Sequence, residues 1–155
     1  MNNGDLRVAV DANLVVALVL PLPYSAQATD RIVGWQRAAT GLLAPWLLEY
    51  EVSAVLRRAV VAGLLTSGAA YEAMRRILDL QVHCLPPTLG LHERALSWAE
   101  RLGHSKTYDA HYVALAEQQQ VELWTADHRL VNAARQAGLT WLRWIGEGMS
   151  SQDPA

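Results

Sequence analysis

Four acidic residues, Asp11, Glu51, Asp109 and Asp127, stand in contexts that gather carboxylates rather than scatter them in solvent. Asp11 closes an alternating segment in which Leu6, Val8 and Val10 are interleaved with Arg7 and Ala9, and Asp127 closes the stretch Leu123-Trp124-Thr125-Ala126. An Asp directly after a strand is a good helix N-cap, so each of these two has an ordinary structural use as well. Glu51 is different, because it falls inside a predicted helix where neither capping nor turn formation accounts for it. Leu47, Leu48, Ala54 and Val55, at three and four residues on either side, are all apolar, so Glu51 projects from a face that packs inward. A carboxylate there is costly unless it is paired, protonated or bound to a cation, and Arg57 or Arg58 would be the partner in a buried ion pair. Asp109 shares a helix face with Tyr112, Val113 and Ala116, although it lies early enough in the helix for its charge to suit the first turn.

If the four converge, neighbouring carboxylates about 5 Å apart repel by roughly 3 kcal/mol at an effective dielectric of 20, so the cluster needs divalent cations or raised pKa values. Oxygen-only ligation suits Mg²⁺ or Mn²⁺, whereas zinc would want histidine and cysteine. The five histidines, His83, His92, His104, His111 and His128, show no zinc-type spacing. Ions held by carboxylates can activate water and stabilise the charge that builds on a phosphodiester, without a protein nucleophile. Asn13 and Thr125 are placed to act as turn residues or as supporting partners that orient the acids.

The elements that must position these groups are short apolar strands alternating with amphipathic helices. Strands are expected at residues 6–10, 42–44, 81–85, 122–125 and 140–144. Helices are expected at 24–40, 46–62, 67–80 with Ser67 as cap, 91–102, 107–120 and 127–136, with Gly63, Gly103 and Gly138 at helix ends. This alternation calls for a five-stranded parallel sheet covered on both faces, with ligands bound beyond the carboxyl ends of the strands.

With 155 residues, one domain suffices, read as residues 1–145 with a tail at 146–155 whose Gly, Ser, Asp and Pro content predicts fraying. Apolar residues make up 52% of the chain, enough for a substantial core. The N-terminus has no signal segment and residues 14–22 are too short to span a bilayer, so the expectation is a soluble, cytoplasmic protein. The single cysteine, Cys84, reads as a buried reduced thiol. A net charge of −2 argues against gripping nucleic acid through a broad basic surface, but leaves room for an enzyme that meets phosphate through bound cations.

Four stretches, Val8-Ala9-Val10-Asp11-Ala12-Asn13, Glu51-Val52-Ser53-Ala54-Val55-Leu56, Thr107-Tyr108-Asp109-Ala110-His111-Tyr112-Val113-Ala114-Leu115-Ala116-Glu117 and Thr125-Ala126-Asp127-His128-Arg129-Leu130, resemble in order and spacing the four signatures of PIN domains. The likeness spans nearly the whole chain and is greatest to the VapC-type toxins of toxin-antitoxin systems. It implies a PIN-like three-layer α/β/α sandwich and an acidic quartet, Asp11, Glu51, Asp109 and Asp127, that holds Mg²⁺ or Mn²⁺, with Asn13 and Thr125 in the supporting polar places. It also implies endonucleolytic cleavage of RNA, a cognate antitoxin as partner, and a homodimer. Six tryptophans fit an apolar partner surface or a core equally well, and Lys106, Arg129 and Arg31 are cations that could approach phosphate.

Three other readings compete. A phosphoryl-accepting receiver module needs an Asp after the third strand, where this chain has Pro86, and a lysine near the fifth, whereas its only lysine is Lys106. A haloacid-dehalogenase-like phosphatase needs a second Asp two positions after Asp11, where Asn13 stands. A catalytically silent PIN fold kept for binding requires that the quartet take up no metal.

Overall fold

The computed structural model describes residues 6–147. Five strands, β1 (Arg7–Val10), β2 (Gly41–Pro45), β3 (His83–Leu85), β4 (Leu123–Thr125) and β5 (Leu142–Trp144), form one sheet in the order β3-β2-β1-β4-β5. All neighbouring pairs are parallel, with Ala9 of β1 opposite both Leu43 of β2 and Leu123 of β4. β1 is central, and its last two residues, Ala9 and Val10, are wholly buried. The strand order reverses between β1 and β4, which opens a crevice beyond their carboxyl ends.

Among the described residues seven helices complete the α/β/α architecture: α1 (Ala12–Val16), α2 (Ser25–Arg37), α3 (Leu47–Val61), α4 (Ser67–Leu78), α5 (Leu89–Leu102), α6 (Tyr108–Gln119) and α7 (His128–Gln136). α1 has no counterpart among the predicted elements. Its apolar run Leu14-Val15-Val16 is buried on all sides, so no polar face alternates with the apolar one to mark a period. Thr66 rather than Ser67 caps α4, accepting the Ala69 N–H at 3.1 Å, which moves Ser67 into the first turn. β2 runs on through Pro45, which sits at the strand's last position.

α5 and α6 pack closely along their lengths, and α6 also lies against β1 and β2. Trp98 of α5 is buried, donates through Nε1 to Glu117 of α6 at 2.9 Å, and meets Trp141 edge-to-face at 5.6 Å. Of the other tryptophans Trp46 is exposed, while Trp35, Trp124, Trp141 and Trp144 are partly buried against the core. Cys84 is half-buried and unpaired, and burial pushes its thiol up to about 11, as suits an unreactive cysteine. At the far end Glu147 pairs with Arg135 and its N–H bonds to Trp144 O at 2.9 Å. The rest of the tail expected from the sequence, residues 148–155, lies outside the described residues. No helix among the described residues is long and apolar enough to cross a membrane.

Candidate active site

The carboxyl ends of β1 and β4 bring Asp11 and Asp127 together with the polar pair Asn13 and Thr125. The β ladder runs one step past β1, because Asp11 N–H bonds to Trp124 O at 3.0 Å and so pins Asp11 beside β4. Aromatic residues aside, Asp11 and Thr125 are the only buried polar side chains among the described residues, at 4% and 0% exposure. Their hydrogen bonds can be assigned by elimination. Ala126 N–H donates to Asn13 Oδ1 at 3.0 Å, so the Asn13 amide must turn Nδ2 toward Thr125 Oγ1, 3.1 Å away. Thr125 Oγ1 also accepts the Asp127 N–H at 3.0 Å. With both acceptor sites used, the hydroxyl has one proton left to give, and Asp11 Oδ2 lies at 2.8 Å while Asn13 Oδ1 is 3.4 Å away. The proton goes to the carboxylate.

Burial nevertheless dominates at Asp11. Desolvation pushes its carboxyl up to about 7 against the lowering effect of the Thr125 bond, and the charges of Asp109 and Glu51 push in the same direction as burial. N-capping does not explain this residue, since its side chain caps nothing in α1. Asp127 does cap α7, accepting the Arg129 and Leu130 N–H groups at 2.9 and 3.1 Å, but with Oδ1 alone. The cap fixes the side chain and leaves Oδ2 outside the cap bonds.

Glu51 reaches the cluster from α3 and Asp109 from the first turn of α6. Burial raises both carboxyls. At Glu51 the Tyr112 hydroxyl opposes the rise and the Asp109 charge adds to it, and at Asp109 the Asp127 charge adds while His104 opposes. Asp11, Glu51 and Asp109 thus each feel the charge of another acid of the four. The inward stripe of α3 is Leu48, Val52, Leu56 and Ala59, so Glu51 sits at its edge and is partly buried, with Ala54 exposed. Arg57 and Arg58 are both exposed, and no ion pair of Glu51 is found among the described residues. Glu51 Oε1 is buried with no hydrogen-bond partner. The ion-pair explanation of this residue is therefore absent from the structure.

An orphaned carboxylate oxygen, a set of oxygen donors and three carboxyls raised by burial and by one another are what a divalent cation would relieve. Among the described residues no three His, Cys, Asp or Glu side chains come together closely enough to hold a metal ion between them, so the acids do not form a closed metal cage. Of the histidines, His104 is near enough to act on Asp109, whereas His92 and His111 bond to each other at 2.8 Å and the His128 ring lies tilted against Trp144. Of the basic residues, Lys106 and Arg129 are exposed and Arg31 lies over the Trp124 ring at 4.4 Å.

Two tyrosines join the site that the sequence did not single out. Tyr24, just before α2, is close enough to Asp11 and Asp127 for their charges to add to the effect of burial in raising its phenol. Tyr112, wholly buried on α6, is raised by burial and by the charges of Asp11 and Glu51. In the sequence Tyr112 looks like one more apolar member of its helix face, and Tyr24 like a helix-start residue. Thr125 carries the most bonds of the supporting pair, so Thr125→Val is expected to weaken divalent-metal affinity about 10–100-fold by titration, whereas Thr125→Ser stays near wild type. Equal affinities for the valine and serine variants would remove Thr125 from the site.

The PIN domain family model matches residues 8–136 of the chain. Ribonuclease VapC1 of Mycobacterium tuberculosis, from strains CDC 1551 / Oshkosh and ATCC 25618 / H37Rv, is 37% identical over 91 residues. That match covers 58% of this chain and 65% of the relative, just under two thirds of its length. The fold is similar to the crystal structure of PAE2754 from Pyrobaculum aerophilum, with TM-score 0.65 and 23% identity over 90% of this chain and 91% of that one. A toxin-antitoxin complex from Klebsiella pneumoniae contains a chain similar in fold, with TM-score 0.60 and 17% identity, covering 89% of this chain and 97% of that one.

Proposed function

The chain belongs to the PIN-domain family, and from that premise we propose that it is a metal-dependent endoribonuclease, the toxin of a toxin-antitoxin pair acting in the cytoplasm, folded as one domain over residues 1–145. The observation that carries the metal-dependent part is Asp11, a buried carboxyl held by Thr125 and pushed upward by burial and by the charges of Asp109 and Glu51. The similarity to Ribonuclease VapC1 supports the choice of RNA as substrate, and the toxin-antitoxin complex with a chain of similar fold motivates an antitoxin as partner.

Asp11, Glu51, Asp109 and Asp127 would hold Mg²⁺ or Mn²⁺. The bound cation would supply the positive charge that a phosphodiester meets and would make water acidic enough to attack at neutral pH. The protein's own contribution is orientation. Thr125 and Asn13 fix the Asp11 carboxylate, the α7 cap fixes Asp127, and the helix frames of α3 and α6 set Glu51 and Asp109. Burial at Asp11 keeps solvent away from the innermost position. With water as the attacking group, the reaction would be direct hydrolysis and would need no protein nucleophile.

The face beside the site supports a homodimer. Exposed Trp46, Tyr50 and Tyr108 border an apolar groove that also includes Leu85, Pro87 and Leu91. Light scattering at micromolar concentration is expected to give twice the chain mass.

Calorimetric titration of the purified protein with Mn²⁺ tests the metal-dependent reading. Saturable uptake is expected, and it should strengthen as pH rises toward 8 because Asp11 must give up its proton to bind. Absence of uptake at pH 8 would leave a PIN fold that only binds.

A further inference from the structure

Glu51 Oε1 is not the only buried polar atom at this site left without a partner: the hydroxyl of Tyr112 is another. Tyr112 lies on α6 one turn beyond Asp109, and side chains on a helix lean toward its N-terminus, which carries the ring back toward the turn that presents Asp109. Its hydroxyl is near enough to Glu51 to lower that acid's pKa, yet neither atom completes a hydrogen bond of good geometry. Of the two acids whose charges reach the phenol, Asp11 already takes the Thr125 proton through Oδ2, whereas Glu51 Oε1 receives nothing. A phenol carries its proton at neutral pH, and toward a carboxylate it can serve only as donor.

We propose that Tyr112 is the positioning residue for Glu51, its hydroxyl donating to one carboxylate oxygen and thereby turning the other toward the cation. Glu51 has no other polar tether among the described residues, since its neighbours on α3 are apolar and Arg57 and Arg58 point to solvent. The other acids differ: Asp11 is held by Thr125 and Asp127 by its cap. Without Tyr112 the long Glu51 side chain would have to be ordered by the cation itself, at the cost of its rotamer freedom. The inference rests on the metal-dependent reading above for its functional half, and on the contact alone for its structural half.

Tyr112→Phe, which removes one oxygen and keeps the ring in its packing, separates the two halves. In metal-free protein at pH 8, a double-mutant cycle of Tyr112→Phe with Glu51→Ala, read by urea unfolding, is expected to show coupling of about tenfold in the unfolding equilibrium constant. In Mn²⁺ titrations, Tyr112→Phe is expected to weaken the dissociation constant about 10–100-fold, and to have no effect in the Glu51→Ala background. Additive unfolding constants would overturn the contact. Coupling with an unchanged Mn²⁺ constant would reduce Tyr112 to a core hydrogen bond and overturn the positioning role. A wild type that takes up no Mn²⁺ would sink the metal reading and the positioning role with it, while the metal-free cycle would still decide whether the two side chains interact.

Discussion

Asp11→Asn is expected to lower the rate of RNA cleavage by on the order of 10³-fold or more, about 4 kcal/mol in the barrier, while making the metal-free protein more stable above pH 7. The two effects have one cause. Folding moves the Asp11 carboxyl from 3.8 to about 7, chiefly by burial, so between those pH values the folded state keeps a proton that the unfolded chain releases. Stability from this group is complete below pH 4 and falls as pH rises through 7, where the buried carboxylate must ionise without a cation. The full penalty is at most about 4 kcal/mol. Asn at position 11 keeps the shape and can still accept from Thr125, but never ionises. Urea unfolding at pH 5 and pH 8 in chelator checks the stability half: the variant should gain over wild type at pH 8 and much less at pH 5. Cleavage of single-stranded RNA in Mn²⁺ checks the other half. A variant that cleaves like wild type would remove Asp11 from the site. A variant that is inactive but no more stable at pH 8 would show that Asp11 ionises in the fold at little cost.

That trade of stability for a binding site explains which parts of this protein were legible in the sequence. The strands and long helices follow from hydrophobic period, and the five-strand parallel sheet follows from their alternation. Glu51 stood out because a charge beside an inward stripe conflicts with packing, and such conflicts gather at functional sites. Asp11 and Asp127 looked alike in the sequence, each an Asp after a strand, yet only Asp127 caps its helix. The difference arises from Thr125, which reaches across from the neighbouring strand to take Asp11 into the interior. Tyr112 was hidden for a similar reason: its ring obeys the apolar pattern of α6, and its hydroxyl gains a meaning only through Glu51, which is far away in sequence. Thr66 and Ser67 are both good caps, and the choice between them depends on where the chain turns after α3.

The frame that holds Asp109 and Tyr112 depends on one large side chain, so Trp98→Ala is expected to destabilise the protein by about 3–5 kcal/mol. Trp98 is 6% exposed at the junction of α5, α6 and the segment leading to β5. Its removal leaves a cavity beneath Trp141, takes away the ring over which Arg101 lies at 4.1 Å, and frees Glu117 from its Nε1 bond. Glu117 keeps its ion pair with Arg94 at 3.1 Å, which is largely exposed and adds little. Cavity and dispersion losses therefore dominate over the hydrogen bond, and Trp98→Phe, which loses the bond but retains much of the ring, should cost far less than the alanine variant. Against a usual total of about 5–15 kcal/mol, the alanine loss would bring a protein at the low end of that range close to its midpoint at 25 °C. Saturating Mn²⁺ should recover part of it, because a cation that binds only the folded cluster stabilises by mass action. Urea unfolding with and without Mn²⁺ measures both quantities. If Trp98→Ala unfolds within 1 kcal/mol of wild type, α6 must be held by its contacts with β1 and β2 rather than by α5.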